Sequence, residues 1–108
     1  MAGKKKEPSV YLKLKNRHHG LFKAVEKLGI TVRKAGPLNV KTAHLIQIAA
    51  AAALRSEGAV HSHVRRALEI GVKPEEIHHA IILVTSTISF PNGIAALSWA
   101  EDLLGKKK

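Results

Sequence analysis

The sequence predicts an all-α protein of about six helices, and three observations lead to this fold class. Apolar residues recur at helical spacing along most of the chain. Helix-start signals precede several of these stretches, at Asn39, at Ser56 and at residues 73–76 (KPEE). The few segments with a strand-like composition have no evident pairing partner. With 45% hydrophobic residues in 108, the chain suits one folded domain, placed at residues 9–105.

The first third of the chain contains a tail and two predicted elements. Residues 1–8 are expected to form a flexible basic tail. Residues 10–14 alternate between apolar and polar side chains, which suits a short strand or a short helix, and the lack of other strands favours a helix. Apolar residues at helical spacing then predict a helix over about 18–35: Leu21, Phe22, Val25 and Leu28. Gly36 and Pro37 end it.

The stretch from 41 to 70 organises the chain, because it contains two predicted helices with a break at residues 56–58. The first helix, capped by Asn39, is apolar on nearly all sides, and five consecutive alanines at 49–53 keep it thin. A helix of this kind must be buried on most sides. Ser56 is a suitable cap for the second helix, at about 57–70, whose inner stripe is Val60, Val64, Ala67 and Leu68.

Two more helices are predicted after Gly71. Proline at the first helical position and two following acids make residues 73–76 a strong start. Residues 81–90 are rich in β-branched side chains, so a strand is the competing interpretation there. We expect Pro91 to end this element and the next two residues to turn the chain. A last helix then runs from about 94 to 104, and residues 106–108 form a second basic tail.

The net charge of +10 is concentrated in the tails and the first helices, because residues 42–105 hold four basic residues against six acidic ones. Such a distribution attracts polyanions weakly, but no nucleic-acid-binding motif accompanies it, so nucleic acid is not an expected partner. No apolar run suits a membrane span, and no membrane partner is expected. With no export signal, we expect a cytoplasmic protein.

Two long segments carry a family resemblance: LNVKTAHLIQIAAAAALRSEGAVHSHVRRALEIGVKPEEI and SFPNGIAALSWAEDLL. In their order and spacing, residues 38–104 resemble the carboxymuconolactone decarboxylase and alkylhydroperoxidase-D-like family. The resemblance implies an all-helical fold and a homo-oligomer, from dimer to hexamer. An oligomer also agrees with the two helices that are apolar nearly all round, since a small monomer cannot bury them completely.

The peroxidase branch of that family uses a CxxC pair, a later histidine and an earlier glutamate. Those positions fall here on Ser56, Ala59, His63 and His44, so only the histidine at 63 is matched. Residues 56, 59 and 63 still share one helix face. Because the chain contains no cysteine, thiol peroxidase activity is excluded.

The lactone decarboxylase branch needs no thiols, and it gives the leading functional hypothesis. By this resemblance the candidate catalytic residues are His63, His44, Ser56 and Glu57, with Arg66 holding an anionic substrate. The expected chemistry is acid–base catalysis on a small carboxylate or lactone, without a cofactor. The identity of this small-molecule ligand does not follow from the sequence. The alternative is a non-catalytic helical oligomer that serves as a binding or scaffold module.

The position of Glu57 relative to two histidines limits the roles it can have. Glu57 precedes His63 by six positions, about 120° around a helix, so the two share a pocket only if the helix begins after Glu57. Glu57 and His61 are four residues apart and could chelate a metal ion. Because the sequence shows no third ligand, we predict no metal site.

Overall fold

The computed structural model describes residues 9–105, which form six α-helices and no strand. The helices are α1 (Ser9–Arg17), α2 (His19–Arg33), α3 (Val40–Ala53), α4 (Glu57–Glu69), α5 (Pro74–Ile88) and α6 (Phe90–Leu104). The predicted all-α class is therefore confirmed, and the strand alternatives at 10–14 and 81–90 are wrong. The two basic tails, 1–8 and 106–108, lie outside the described residues. None of the helices in the described part is long and apolar enough to cross a membrane.

The chain divides into two compact units, Met1–Leu38 and Asn39–Lys108. In the first unit, α1 and α2 pack against each other, and the rings of Tyr11 and Phe22 meet edge to face with their centroids 5.3 Å apart. Lys15 lies over the Tyr11 ring, 5.9 Å from its centroid. Neither helix contains a buried residue. Two short helices enclose too little volume to form a core of their own.

The second unit contains the hydrophobic core. Its helices α3 to α6 pack together around branched side chains and alanines: Ile48, Ala51, Ala52, Val60, Val64, Ala67, Val72, Ile77, Ile81, Ala96 and Ala100. All of them are at most 4% exposed. Five of the eleven are alanines, so the helix axes can approach closely. The predicted inner stripe of α4 is confirmed at Val60, Val64 and Ala67.

The predicted helix starts are confirmed by their caps. The Asn39 side chain accepts the Thr42 N–H at 2.8 Å, which caps α3. At α5 the backbone N–H of Lys73 donates to the Glu76 carboxylate at 3.0 Å, and Pro74 takes the first helical position.

The junction between α5 and α6 differs from the prediction. Pro91 does not end α5; it lies in the first turn of α6, where its missing N–H leaves no intrahelical bond unmade. The break is Ser89, whose φ of 105° and ψ of 146° are rare for a residue with a side chain. Ser89 ends α5, and its hydroxyl accepts the Asn92 N–H at 3.3 Å to cap α6. One residue thus serves both helix ends.

Close packing between α5 and α6 depends on Gly93. A β-carbon at Gly93 would overlap the Thr85 Cγ2 atom and would lie 3.0 Å from the Thr85 Cβ atom. Gly93 is itself buried. Because Thr85 also hydrogen-bonds to the Ile82 carbonyl at 2.7 Å, its side chain is held in place.

We predict that Gly93→Ala lowers the free energy of unfolding by about 1 to 3 kcal/mol, because the added methyl group forces α5 and α6 apart. Alanine is the better helix former, so propensity alone predicts the opposite sign. Urea unfolding followed by circular dichroism measures the change. Gly58→Ala is the matched control, since nothing lies within 4 Å of a β-carbon there. Equal effects of the two substitutions would contradict the steric explanation.

An ion pair joins the starts of α3 and α5. The Lys41 Nζ atom lies 2.7 Å from the Glu76 Oε2 atom. This hydrogen bond, together with the one from the Lys73 backbone, holds the pKa of the Glu76 carboxyl below its ordinary value of 4.5. The pair is exposed, so its contribution to stability is small.

Because the pKa of Glu76 is lower in the folded state than in the unfolded chain, its contribution is complete above pH 4.5 and is lost as the pH falls through the folded value. We predict that Lys41→Met lowers the thermal unfolding midpoint slightly at pH 7, and that this difference from wild type disappears in acid. The control Lys23→Met removes the same charge from an exposed site in α2. A Lys41→Met effect that is independent of pH would contradict the assignment.

Candidate functional site

The candidate site is built on α3 and α4, which pack against each other in the second unit. Residues 54–56 join them, so the end of α3 lies next to the start of α4. Arg55, with φ of 57°, takes the left-handed conformation that commonly ends a helix. The short connection keeps α3 and α4 adjacent. Side chains of both helices can therefore point into the same core.

His44 lies in the second turn of α3 and is 3% exposed. Among residues 9–105 it is the one polar or charged residue that is buried. Its Nδ1 atom is shielded from solvent. The imidazole does interact with its surroundings, as a polar group in an alanine-rich helix must. Histidine is intermediate among residue types in how often it is buried.

His63 lies in the middle of α4 and is half-buried. Its Nδ1 atom is shielded from solvent, as that of His44 is. It is adjacent in sequence to Val64, which is fully buried in the core. Two contacting helices thus each place one imidazole with a ring nitrogen inside the protein.

Ser56 has the capping role predicted for it. Its hydroxyl accepts the Ala59 N–H at 3.1 Å, and its backbone is extended. The hydroxyl can still donate one hydrogen bond. Arg66 is half-buried and follows His63 by three residues, so the two side chains are neighbours on one face of α4.

Glu57 does not share that face. Because α4 begins at Glu57 itself, the condition for Glu57 to share a pocket with His63 is not met. Its carboxylate is exposed and its Oε2 atom lies 4.0 Å from the Nε2 atom of His61. That same Nε2 atom lies 2.9 Å from the Asp102 Oδ2 atom of α6. Glu57 therefore lies with His61 and Asp102, apart from the face of α4 that includes His63.

Sequence reasoning missed Asp102. The spacing of Glu57 and His61 indicated a pair on one face, but the third group comes from α6, more than forty residues later in the chain. Asp102 comes close to His61 because α4 packs against α6, and no local sequence pattern predicts this contact.

Comparison with known proteins gives one positive result. The sequence model described as the carboxymuconolactone decarboxylase family matches residues 20–102, from α2 to the last turn of α6. The match begins well before residue 38, where the resemblance in the sequence begins. No curated protein and no solved structure gives a significant match. Since the family model spans well over half of the 108 residues, the chain belongs to the carboxymuconolactone decarboxylase family.

Proposed function

We propose that this protein is a cysteine-free acid–base catalyst that acts on a small carboxylate or lactone. The observation that supports this function best is the pair of imidazoles, His44 and His63, each with a ring nitrogen shielded inside the protein. Imidazole is the side chain that exchanges protons most readily near neutral pH. Membership of the carboxymuconolactone decarboxylase family supports the reaction class.

His63 is the proposed proton donor, and Arg66 is the proposed anion-binding group. The two lie one turn apart on α4, which suits a substrate that carries a carboxylate beside the reacting carbon. A guanidinium group can hold that carboxylate through two parallel hydrogen bonds. In a partly buried site such contacts are stronger than in water.

The proposed reaction on a carboxylated lactone is a loss of carbon dioxide followed by protonation of the ring. The bond between the carboxylate carbon and the ring carbon breaks, and carbon dioxide leaves. The electron pair stays with the ring, delocalised towards the lactone carbonyl, and the protonated imidazole of His63 delivers a proton to the ring. His63 then recovers a proton from water. His44 contributes a second titratable group in the same unit, suited to passing that proton inward.

Ser56 has a supporting part in this proposal, because its cap fixes the first turn of α4 and so the direction of the helix face that includes His63 and Arg66. The hydroxyl is engaged with the Ala59 N–H, which argues for positioning and against a nucleophilic role. Glu57 has no part in the proposed chemistry, since it lies with His61 on another face.

We predict that His63→Gln reduces kcat for decarboxylation of carboxymuconolactone by about 100-fold or more, because the proton donor is lost. Release of carbon dioxide measures the rate. His79→Gln is the matched control, since His79 is an exposed histidine of α5, and it should leave kcat unchanged.

Unfolding curves of both variants establish that the fold is retained. Equal rates for wild type and His63→Gln would refute the catalytic proposal. A wild type without turnover on carboxylated or plain lactones would favour the alternative, a non-catalytic binding or scaffold module.

We also propose that the protein assembles as a homo-oligomer. On α2 four large apolar residues recur along one stripe and are 49–60% exposed: Leu21, Val25, Leu28 and Val32. Other exposed apolar side chains in the second unit include Leu54, Leu83 and Phe90. Apolar surface of this extent commonly marks a protein–protein interface.

We predict that Leu28→Lys shifts the protein to a smaller assembly, because a charge in the middle of the stripe disfavours its burial. Light scattering coupled to size-exclusion chromatography measures the mass. Ile30→Lys is the matched control, since Ile30 is also exposed but points about 200° away from Leu28 around α2. A wild type that is monomeric at micromolar concentration would contradict assembly.

A further inference from the structure

One imidazole and two carboxylates converge where the start of α4 meets the end of α6. The His61 Nε2 atom lies 2.9 Å from the Asp102 Oδ2 atom and 4.0 Å from the Glu57 Oε2 atom. One ligand atom from each residue lies within 4.8 Å of the others. We propose that Glu57, His61 and Asp102 form a binding site for a divalent transition-metal ion such as Zn²⁺.

The distances suit such an ion after a small adjustment. Zinc binds imidazole nitrogen and carboxylate oxygen at about 2.0 to 2.2 Å, so tetrahedral ligand atoms lie about 3.3 Å apart. The contact between His61 and Asp102 is already close to that separation. Glu57 must approach the other two ligand atoms by up to about 1.5 Å, and its side chain is 58% exposed and can change rotamer.

The donor set indicates the class of ion. Imidazole nitrogen favours zinc, nickel, cobalt and copper over magnesium and calcium, whereas two carboxylates supply charge. Three protein ligands leave a position for water, and the exposed carboxylates allow the ion to enter from solvent.

The scaffold holds the three ligands on rigid elements. Glu57 and His61 are one turn apart on α4, and Asp102 lies on α6. These two helices pack through a common buried cluster that includes Val60, Val64, Ala96 and Ala100. Ligands on packed helices keep their geometry better than ligands on loops. A bound ion would link the first turns of α4 to the last turn of α6.

Within the described residues, the charges in the last turn of α6 also favour a cation. Asp102 lies in the last turn, where the helix dipole disfavours negative charge, and that turn contains no basic residue. Glu57, by contrast, lies at the start of α4, where a carboxylate is already favourable. A metal ion would offset the charge of Asp102 more fully than the partly exposed His61 does.

The competing interpretation is an ordinary ion pair between His61 and Asp102, which needs no metal. The two interpretations differ in their response to added zinc. In the ion-pair case Asp102→Asn changes the stability of the metal-free protein but does not change zinc binding. In the metal case Asp102→Asn weakens zinc binding.

The test titrates zinc chloride into the full chain after treatment with a chelator, using calorimetry and the thermal unfolding midpoint. Wild type should bind zinc with a rise in the midpoint. Asp102→Asn and His61→Gln should each weaken binding by at least about tenfold. The matched controls are Glu101→Gln, one residue from Asp102, and His78→Gln, an exposed histidine of α5; both should retain wild-type affinity.

Circular dichroism of each variant establishes that it is folded, and Glu57→Gln provides an independent test should either main variant fail to fold. Equal zinc affinity in wild type, Asp102→Asn and His61→Gln would overturn the proposal and assign any binding to other histidines. Absence of zinc binding by wild type would overturn it as well.

Discussion

The structure of the second unit depends on close contact between helices whose contact faces have small side chains. Alanine at positions 51, 52, 67, 96 and 100 removes bulk from the contact faces, and Gly93 lets α6 lie against Thr85 of α5. Burial of short side chains releases little hydrophobic free energy for each residue, so the core gains stability from many close contacts instead. The same closeness leaves almost no room for polar groups, which is why a buried imidazole is conspicuous.

That constraint explains how the histidines are distributed. His44 is enclosed in the alanine-rich interior and His63 turns one nitrogen inward from α4, whereas His61 lies on the outer side of the same helix with carboxylate neighbours. Two residues apart on a helix, the side chains of His61 and His63 diverge. The proposed acid–base residue His63 and the proposed metal ligand His61 therefore lie on different faces of one helix.

Much of the fold could be predicted from sequence because its signals are local. Asn39, Ser56 and the Lys73 segment mark helix starts by chemistry that acts over four residues. The prediction that Pro91 ends α5 was wrong because proline occurs both just after the end of a helix and in the first turn of one. The candidate site was only partly predictable: His63 and His44 were chosen from family spacing, but whether Glu57 shares their face depended on one residue of helix boundary. Asp102 could not be found, since its approach to His61 results from tertiary packing.

Because Ser89 is both the last cap of α5 and the first cap of α6, no loop residue separates the two helices. An inserted residue in the first turn of α6 would advance everything after it by about 100° and 1.5 Å. Asp102 would then rotate away from His61, and each contact position would be taken by the preceding residue, so that Trp99 would replace Ala100 in the core. We therefore expect a change of length between α5 and α6 to disturb the core, whereas residues 34–39 between α2 and α3 are exposed and contribute nothing to it.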